Sequence, residues 1–556
     1  MKKRKLLLGM LILCCSFLFA CTVKINASDV SYYDSLSDGE TDQDGYYIIK
    51  ADTVNQLKVA LEEAHNNATD AKPYKIVVKP SDSTYELDYS LILYSNTYLY
   101  AQGATFKQKA KIENNMIRLG NSDDVIGYYY KNIVIDGGVW NENNNSNTLA
   151  KIAQAKNITV KNATFKNIKQ GHLMEVAGVD GLTISNCTFQ NQVITSTSFR
   201  PYEAIQVDIL VKDHMKGYRY QDLANKNIKI TNCLFNNVPR GIGSHTAVLN
   251  NPIKGVTISN NTFKNIKSCA IQFMNIVNCT INDNKIISAP RGITILGAIF
   301  NNQDTYLAKT LSSQGNTSSL TPNVYKKPAS NMNIIIKNNT IKIGGKDPYA
   351  TYERSGIFIS GYIAKTAQKN SSGGKLPKGN YYVSGVVIDK NKVHGNSHGI
   401  RLVDTRNSKV TNNQLNFTGS IGKTNFYGVV LKNKTSNITI SKNSIKKYLN
   451  GIYVQDSDAS NITSNVIKNV KKYGISIECS TTSKIVGNTM NNVPRNGIHI
   501  WNKSTVKTIV HNKVTSAKER GIYVGGKSKV TTISGNKFKS CKEKIYVNKD
   551  SKVKHK

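Results

Sequence analysis

The chain has 556 residues, with 74 Lys and Arg against 36 Asp and Glu and a formal net charge of +38, an excess that favours polyanionic partners. No segment beyond Val23 is apolar enough to span a bilayer, which excludes a multispanning helical membrane protein. Past the N-terminal residues the cysteines are Cys187, Cys233, Cys269, Cys279, Cys479 and Cys541; without a CxxC pair or metal-type spacing they indicate neither a disulfide framework nor a zinc site.

The chain opens with Lys2, Lys3, Arg4 and Lys5, followed by an apolar run from Leu6 to about Val23 and small or polar residues up to Ala27. That order predicts an export signal over 1–27 with cleavage near Ala27, and hence a secreted or cell-surface protein. Two alternatives stay open. Cys21 in LFAC offers a lipid attachment site, although Phe19 suits such a motif poorly, and the apolar run is long enough to remain as an uncleaved anchor. Residues 28–97 form an N-terminal segment. Within it TVNQLKVALEEAHNN, from Thr53, has the spacing of an amphipathic helix with Val54, Leu57, Val59, Ala60 and Leu61 on its apolar side.

From Tyr98 to Val547 the sequence repeats. TISNNTF at Thr257, TINDNKI at Thr280, TISKNSI at Thr439 and TISGNKF at Thr532 share an apolar residue, an asparagine three positions on, and a second apolar residue two later. The aligned asparagines run from Asn261, Asn284, Asn339 and Asn391 to Asn512 and Asn536, recurring every 22 to 24 residues where no insertion intervenes. A period of that length, with short β-branched runs and no helical spacing between them, fits one coil of a parallel β-solenoid. Coils stack ~4.8 Å apart, so equivalent asparagines can hydrogen-bond up and down the stack. Cys187 and Cys233 hold the ladder position in two earlier coils, which places both thiols inside it. Residues 548–556 remain as a basic tail.

About ten residues after each ladder position comes a small residue and an alternating strand, as in EAIQVDI, RGIGSHT, CAIQFMN, RGITILG, YGISIEC and NGIHIWN. The phase of the alternation turns Ile205 and Val207 to the core and Ala204, Gln206 and Asp208 to solvent. These coils resemble those of the right-handed parallel β-helix family with pectate-lyase-type repeats. YELDYSLILYSNTYLYAQGATF and NIVIDGGVWNENNN likewise resemble the first coils of pectate-lyase and polygalacturonase relatives. The resemblance implies an all-β, right-handed parallel β-helix capped at its N-terminal end by the Thr53 helix, since a bare first coil exposes strand edges and core. It carries no chemistry over. The paired Asp and GHG of polygalacturonases, the WIDH of calcium-dependent pectate lyases and the DPHE-type cluster of alginate epimerases are all absent.

Stacking converts alignment into geometry. Successive outward positions are Glu175 with Ala177, Gln206 with Asp208, Gly243 with His245, and Gln272 with Met274. Asp208 and His245 are therefore expected side by side on adjacent coils, a carboxylate orienting an imidazole and favouring its charged form, as an acid–base pair requires. Glu175 stands beside Gln206 as a second carboxylate. Long insertions follow Asp208, Gly297 and Gly361, and loops on a rigid scaffold commonly build substrate clefts. Tyr218, Tyr220, Tyr325 and Tyr349 would offer sugar-stacking faces there, while Lys212, His214 and Arg240 would meet a uronate carboxylate. Structural alternatives compete. Asp208 and His245 would serve equally as an exposed polar pair, Arg240, Arg291 and Arg495 as turn residues after proline, and Glu203 as a buried carboxylate. Tyr128 and its neighbours read as a packing cluster. The C-terminal pairs Tyr453 with Gln455, Ser476 with Glu478, and His499 with Trp501 show no obvious convergence.

These readings lead to an exported carbohydrate-active enzyme that cleaves an acidic polysaccharide, as a lyase or a glycoside hydrolase. Asp208, His245 and Glu175 are its expected catalytic residues, with Gln206, Gln272, Arg240, His214, Tyr218 and Tyr220 binding substrate. The alternative is a non-catalytic, adhesin-like solenoid that binds polysaccharide or an anionic cell-envelope polymer, which the lysine-rich coils from Ser441 onward favour. A monomer is expected, with no nucleic-acid partner, cofactor or metal; calcium would need more converging oxygens than Glu175 and Asp208 supply.

Overall fold

The computed structural model describes residues 26–556 apart from 112–113, 123–124, 146, 194–201, 211–214, 216, 219–222, 248–250, 298–329, 348–353, 365–367, 370–374, 377 and 421–424. Its strands wind into a right-handed parallel β-helix with three sheets along its length. One coil shows the plan. Ile253–Ser259 lies in the first sheet, Thr262–Lys264 in the second and Cys269–Met274 in the third, and Ile276–Asn282 then returns to the first. Each strand pairs in register with its counterpart one coil on, so that Ile258 meets Ile281, Phe263 meets Ile286 and Ile271 meets Ile293. Parallel pairing begins at Tyr47–Ala51 and reaches Lys552–His555.

The asparagine ladder forms the corner between the first and second sheets. From Asn261 to Asn512 each described amide Nδ2 donates to Oδ1 of the next ladder asparagine at 2.9–3.0 Å. The same group also donates to a main-chain carbonyl of the preceding coil, as from Asn261 to Ile230 and from Asn443 to Val410. Buried amides so fully used stabilise the turn; an unused one would cost about 1–3 kcal/mol. Cys187 and Cys233 continue the ladder as buried free thiols, and the Cys233 N–H donates to Asn261 Oδ1 at 2.9 Å. The residue before each ladder position is left-handed, at φ 58° for Asn260 and 55° for Lys390; Gly487 and Gly535 fill it in later coils.

Inside, one continuous apolar core runs from Ala51 to Ile533. Its second-sheet side stacks rings, with Phe106 on Trp140 at 4.2 Å and then Phe165, Phe189, Phe235 and Phe263 at 4.8–5.2 Å. The small residue of the third-sheet motif has a steric cause. A Cβ on Gly474 would lie 2.5 Å from the Gly497 carbonyl oxygen and 2.8 Å from Met490 Sδ.

Helix α2 (Val54–Asn67) lies on the first coils. Thr53 caps it in a capping box with Gln56, worth ~1 kcal/mol. Its buried stripe is Leu57, Ala60, Leu61 and Ala64. Val59, expected on that stripe, is 63% exposed, because two residues turn a helix by about 200° and carry it away from Leu57. A preceding helix, α1 (Ala27–Ser35), has no counterpart in the sequence reading; Tyr33 seats it against Ile48 and Val77.

Candidate functional site

Register makes the third sheet a set of outward columns. One runs Lys151, Glu175, Gln206, Gly243, Gln272 and Thr294, then Phe358, Arg401, Val430, Tyr453, Ser476, His499, Tyr523 and Tyr546. Glu175 and Gln206 are neighbours, as alignment predicts.

Facing outward does not mean facing water here. Asp208 is fully buried and Gln206, Glu175 and Gln272 nearly so. The chain after Asp208 folds back over the sheet. Leu210, Met215 and Tyr218 pack on Ala153 and Ala177 as a second small core outside the coil. Tyr218 donates to the Leu119 carbonyl at 2.8 Å under the Arg118 guanidinium, so it is a packing residue and not an open sugar platform. Arg118 in turn donates to the Gly217 carbonyl at 3.0 Å. His214 and Tyr220, with Lys212, Tyr325 and Tyr349, lie outside the described residues.

Beneath this roof Asp208 and His245 do adjoin, with Nε2 3.6 Å from Oδ2. Asp208 is engaged throughout. Its Oδ2 accepts from Gln206 Nε2 at 2.9 Å, and its Oδ1 accepts from the Thr246 N–H at 3.0 Å and the Ile209 N–H at 3.3 Å. The Thr246 N–H, with the His245 N–H at 3.4 Å from Oδ2, fastens the chain after Gly243 to this carboxylate. His245 also turns Nδ1 to Glu203 Oε2 at 3.3 Å. Glu203 is the hub of the cluster: fully buried, it is ion-paired with Arg240 and lies 3.8 Å from His172 Nδ1. Burial alone would raise the Glu203 carboxyl, but Arg240 and His245 outweigh it and hold it well below the usual range. Burial opposes the charge on His245, yet Glu203 and Asp208 raise its pKa. His172, more dominated by burial, is lowered.

Arg240 and Arg291 open strands of the third sheet rather than turns, whereas Arg495 does lie in the bend before Asn496–Trp501. Arg240 pairs with Glu203 and Arg291 with Asp347 at 2.6 Å, both buried, while Arg495 meets Glu519 at 3.1 Å nearer the surface. Tyr128, read as packing, donates to the Ala224 carbonyl at 2.7 Å.

The C-terminal half of the sheet is open, and its residues converge after all. A groove of about 550 Å³ is lined by Tyr427, Tyr453, Tyr473, His499, Trp501 and Tyr523, with Lys472, Glu478, Arg495, Glu519 and Arg520. Tyr473 stacks on His499 at 4.1 Å, His499 on Tyr523 at 5.0 Å and Tyr523 on Tyr546 at 5.6 Å. Rings stacked on one another turn edges and polar tips outward. Tyr453 donates to Glu478 Oε2 at 2.8 Å, and Trp501 is 37% exposed. Burial, then Lys472, Arg495 and Arg520, lower the His499 pKa to about 4, so its ring is neutral at pH 7. The sequence reading has Glu478 and Trp501 on the outward columns but not Tyr473 and Arg520, which lie on the neighbouring column and close the groove.

A larger cleft of about 1070 Å³ opens at the edge of the same sheet. Its wall is the antiparallel pair Tyr362–Ala364 with Gly379–Tyr381 from the insertion after Gly361, and Arg406 lies 3.5 Å over the Tyr382 ring. Arg401, Asp404, Lys434 and Asp458 line it.

Residues 301–555 match the family model described as periplasmic copper-binding protein (NosD). Among the described residues no group of three or more His, Cys, Asp or Glu is placed to hold a metal ion. The plasmin and fibronectin-binding protein A of Streptococcus pneumoniae is 30% identical over 99 residues, 16% of this chain and 13% of that protein. Among solved structures, the surface adhesin PfbA of S. pneumoniae aligns at TM-score 0.48 and 19% identity, over 80% of this chain and 91% of that one. A tailspike of E. coli bacteriophage HK620 in complex with pentasaccharide aligns at TM-score 0.45 and 12% identity, over 92% and 79%. The chain is a right-handed parallel β-helix protein whose C-terminal coils, from residue 301, match the NosD family model.

Proposed function

We propose that the chain is an exported, surface-acting glycan-binding protein that holds an acidic polysaccharide along the open half of its third sheet. The groove at Trp501 carries this reading. Its phenol hydroxyls can hydrogen-bond sugar hydroxyls, the exposed part of Trp501 suits the apolar side of a sugar ring, and Arg495 and Arg520 suit carboxylates. The basic and apolar N-terminal run supports export, and the short likeness to a plasmin- and fibronectin-binding protein supports a surface role. The test is binding of the purified chain to a panel of acidic and neutral polysaccharides. Trp501→Ala combined with Tyr523→Ala is expected to weaken the bound acidic glycan at least tenfold with little change in Tm. Undiminished binding by that variant would sink the assignment.

His245 favours a second reading. Its side chain is 17% exposed and lies between the Glu203 and Asp208 carboxylates, an arrangement suited to acid–base cleavage, with Glu175 as the second carboxylate of the reaction. New reducing ends with ultraviolet absorbance of unsaturated uronides would make the chain a lyase, and reducing ends alone a hydrolase. If every polymer stays intact, binding alone stands.

A further inference from the structure

The second sheet, on a different side of the coil from the groove, has a composition unlike its neighbours. Its strands from Thr164–Lys169 to Lys537–Lys539 contain no Asp, Glu or Arg, yet lysine recurs along them. Lys392, Lys446, Lys468, Lys513, Lys537 and Lys539 are all exposed, and none of them has an ion-pair partner among the described residues.

Register sharpens the point. Lys446 lies directly on Lys468, and Lys513 directly on Lys537. Like charges facing one another across adjacent strands are unfavourable, and at ~4.8 Å they sit well inside the ~10 Å screening length of 0.1 M salt. The third sheet treats its charges differently, pairing Arg520 with Glu543 at 3.2 Å and Arg495 with Glu519 at 3.1 Å. The second sheet therefore keeps self-repelling ammonium groups that no acidic side chain among the described residues neutralises.

We propose that this face is a docking surface for a linear phosphodiester polymer of the polyol-phosphate kind, lying along the solenoid axis. Charge complementarity selects a polyanion, and counterion release on contact supplies the driving force. The side chains select its type. A lysine ammonium meets a phosphodiester oxygen as a point charge from any direction, whereas planar carboxylates are matched by the arginine fork that these strands lack. Nucleic acid is disfavoured because the aromatic residues of these strands point into the core stack, leaving no outward ring for bases.

The test uses the full chain and linear poly(glycerol phosphate), with binding followed across a salt series. Replacing Lys446, Lys468, Lys513 and Lys537 together by Gln is expected to weaken binding at least tenfold near 0.1 M salt. It should flatten the plot of log K against log salt by about 3, at roughly 0.7 per lost contact. Tm should hold or rise, because two repulsive pairs disappear. The matched control replaces Lys229, Lys409, Lys484 and Lys529 of the first sheet by Gln, an equal loss of charge on exposed sites. An equal weakening by the control would overturn the proposal in favour of a diffuse charge effect. Tighter binding to duplex DNA, polygalacturonate or phosphatidylglycerol vesicles than to poly(glycerol phosphate) would overturn the choice of partner. Trp501→Ala must leave this binding unchanged, which separates failure here from failure of the groove assignment.

Discussion

The two halves of the third sheet are built on the same columns and serve opposite ends. Glu203 on Arg240 in the early coils and Arg520 on Glu543 in the late coils occupy one column, as register shows. The first pair is buried under the chain that follows Asp208, whereas side-chain exposures in the second are 45% for Glu543 and 31% for Arg520. The same backbone position thus holds a buried structural ion pair in one half and, in the other, a part-exposed pair whose Arg520 lines the groove. Alternation decides which way a side chain points; what lies above it decides whether it is a surface.

The largest expected effect breaks that comparison outright. Glu203→Ala strands Arg240 and two imidazoles in a buried site and should cost about 3–5 kcal/mol in denaturant unfolding, whereas Glu543→Ala on the same column should cost less than about 1. Equal costs would mean that the roof does not desolvate the early coils.

Next comes a carboxyl that has burial without a partner. Glu142 is fully buried, neither oxygen has a hydrogen-bond partner among the described residues, and burial pushes its pKa up to about 9. Its folded pKa is raised, so its contribution is most favourable below the unfolded value near 4.5 and is lost progressively as pH rises toward 9. Glu142→Gln, uncharged at every pH, should stabilise the chain by on the order of 3 kcal/mol at pH 7 and change little at pH 4.5. Chemical denaturation at the two pH values checks the sign.

The histidines sharpen the contrast further. His245, raised by Glu203 and Asp208, gives stability that is present below its unfolded pKa and lost as pH rises through the folded value. His499, lowered to about 4, works the other way, losing stability as pH falls from the unfolded range toward 4. Histidine ring NMR at pH 6 should find His245 protonated and His499 neutral.

A small stability effect belongs to the groove. Trp501→Ala alone should shift unfolding by about 1 kcal/mol, since Trp501 is 37% exposed and outside the coil's core, while glycan affinity falls. A large loss of stability instead would make the aromatic row a scaffold like the phenylalanines inside.

Much was legible from residues alone. The asparagine spacing set the coil and its corner, the Cys187 and Cys233 substitutions located buried thiols, and the third-sheet phase placed Ile205 and Val207 in the core and Asp208 beside His245. These properties repeat locally, once per coil, so short stretches contain them. The burial of Asp208 and Gln206, the convergence of Glu203 with His172 and His245, and the lock of Arg118 on Gly217 and Tyr218 were not legible. Each depends on where a non-repeating insertion returns to the coil, a contact between residues as far apart as 118 and 218. The sequence by itself determined inside from outside, because pleating ties that to odd and even positions. Only the tertiary structure decided which outward residues meet water, because that depends on chain folded back from elsewhere.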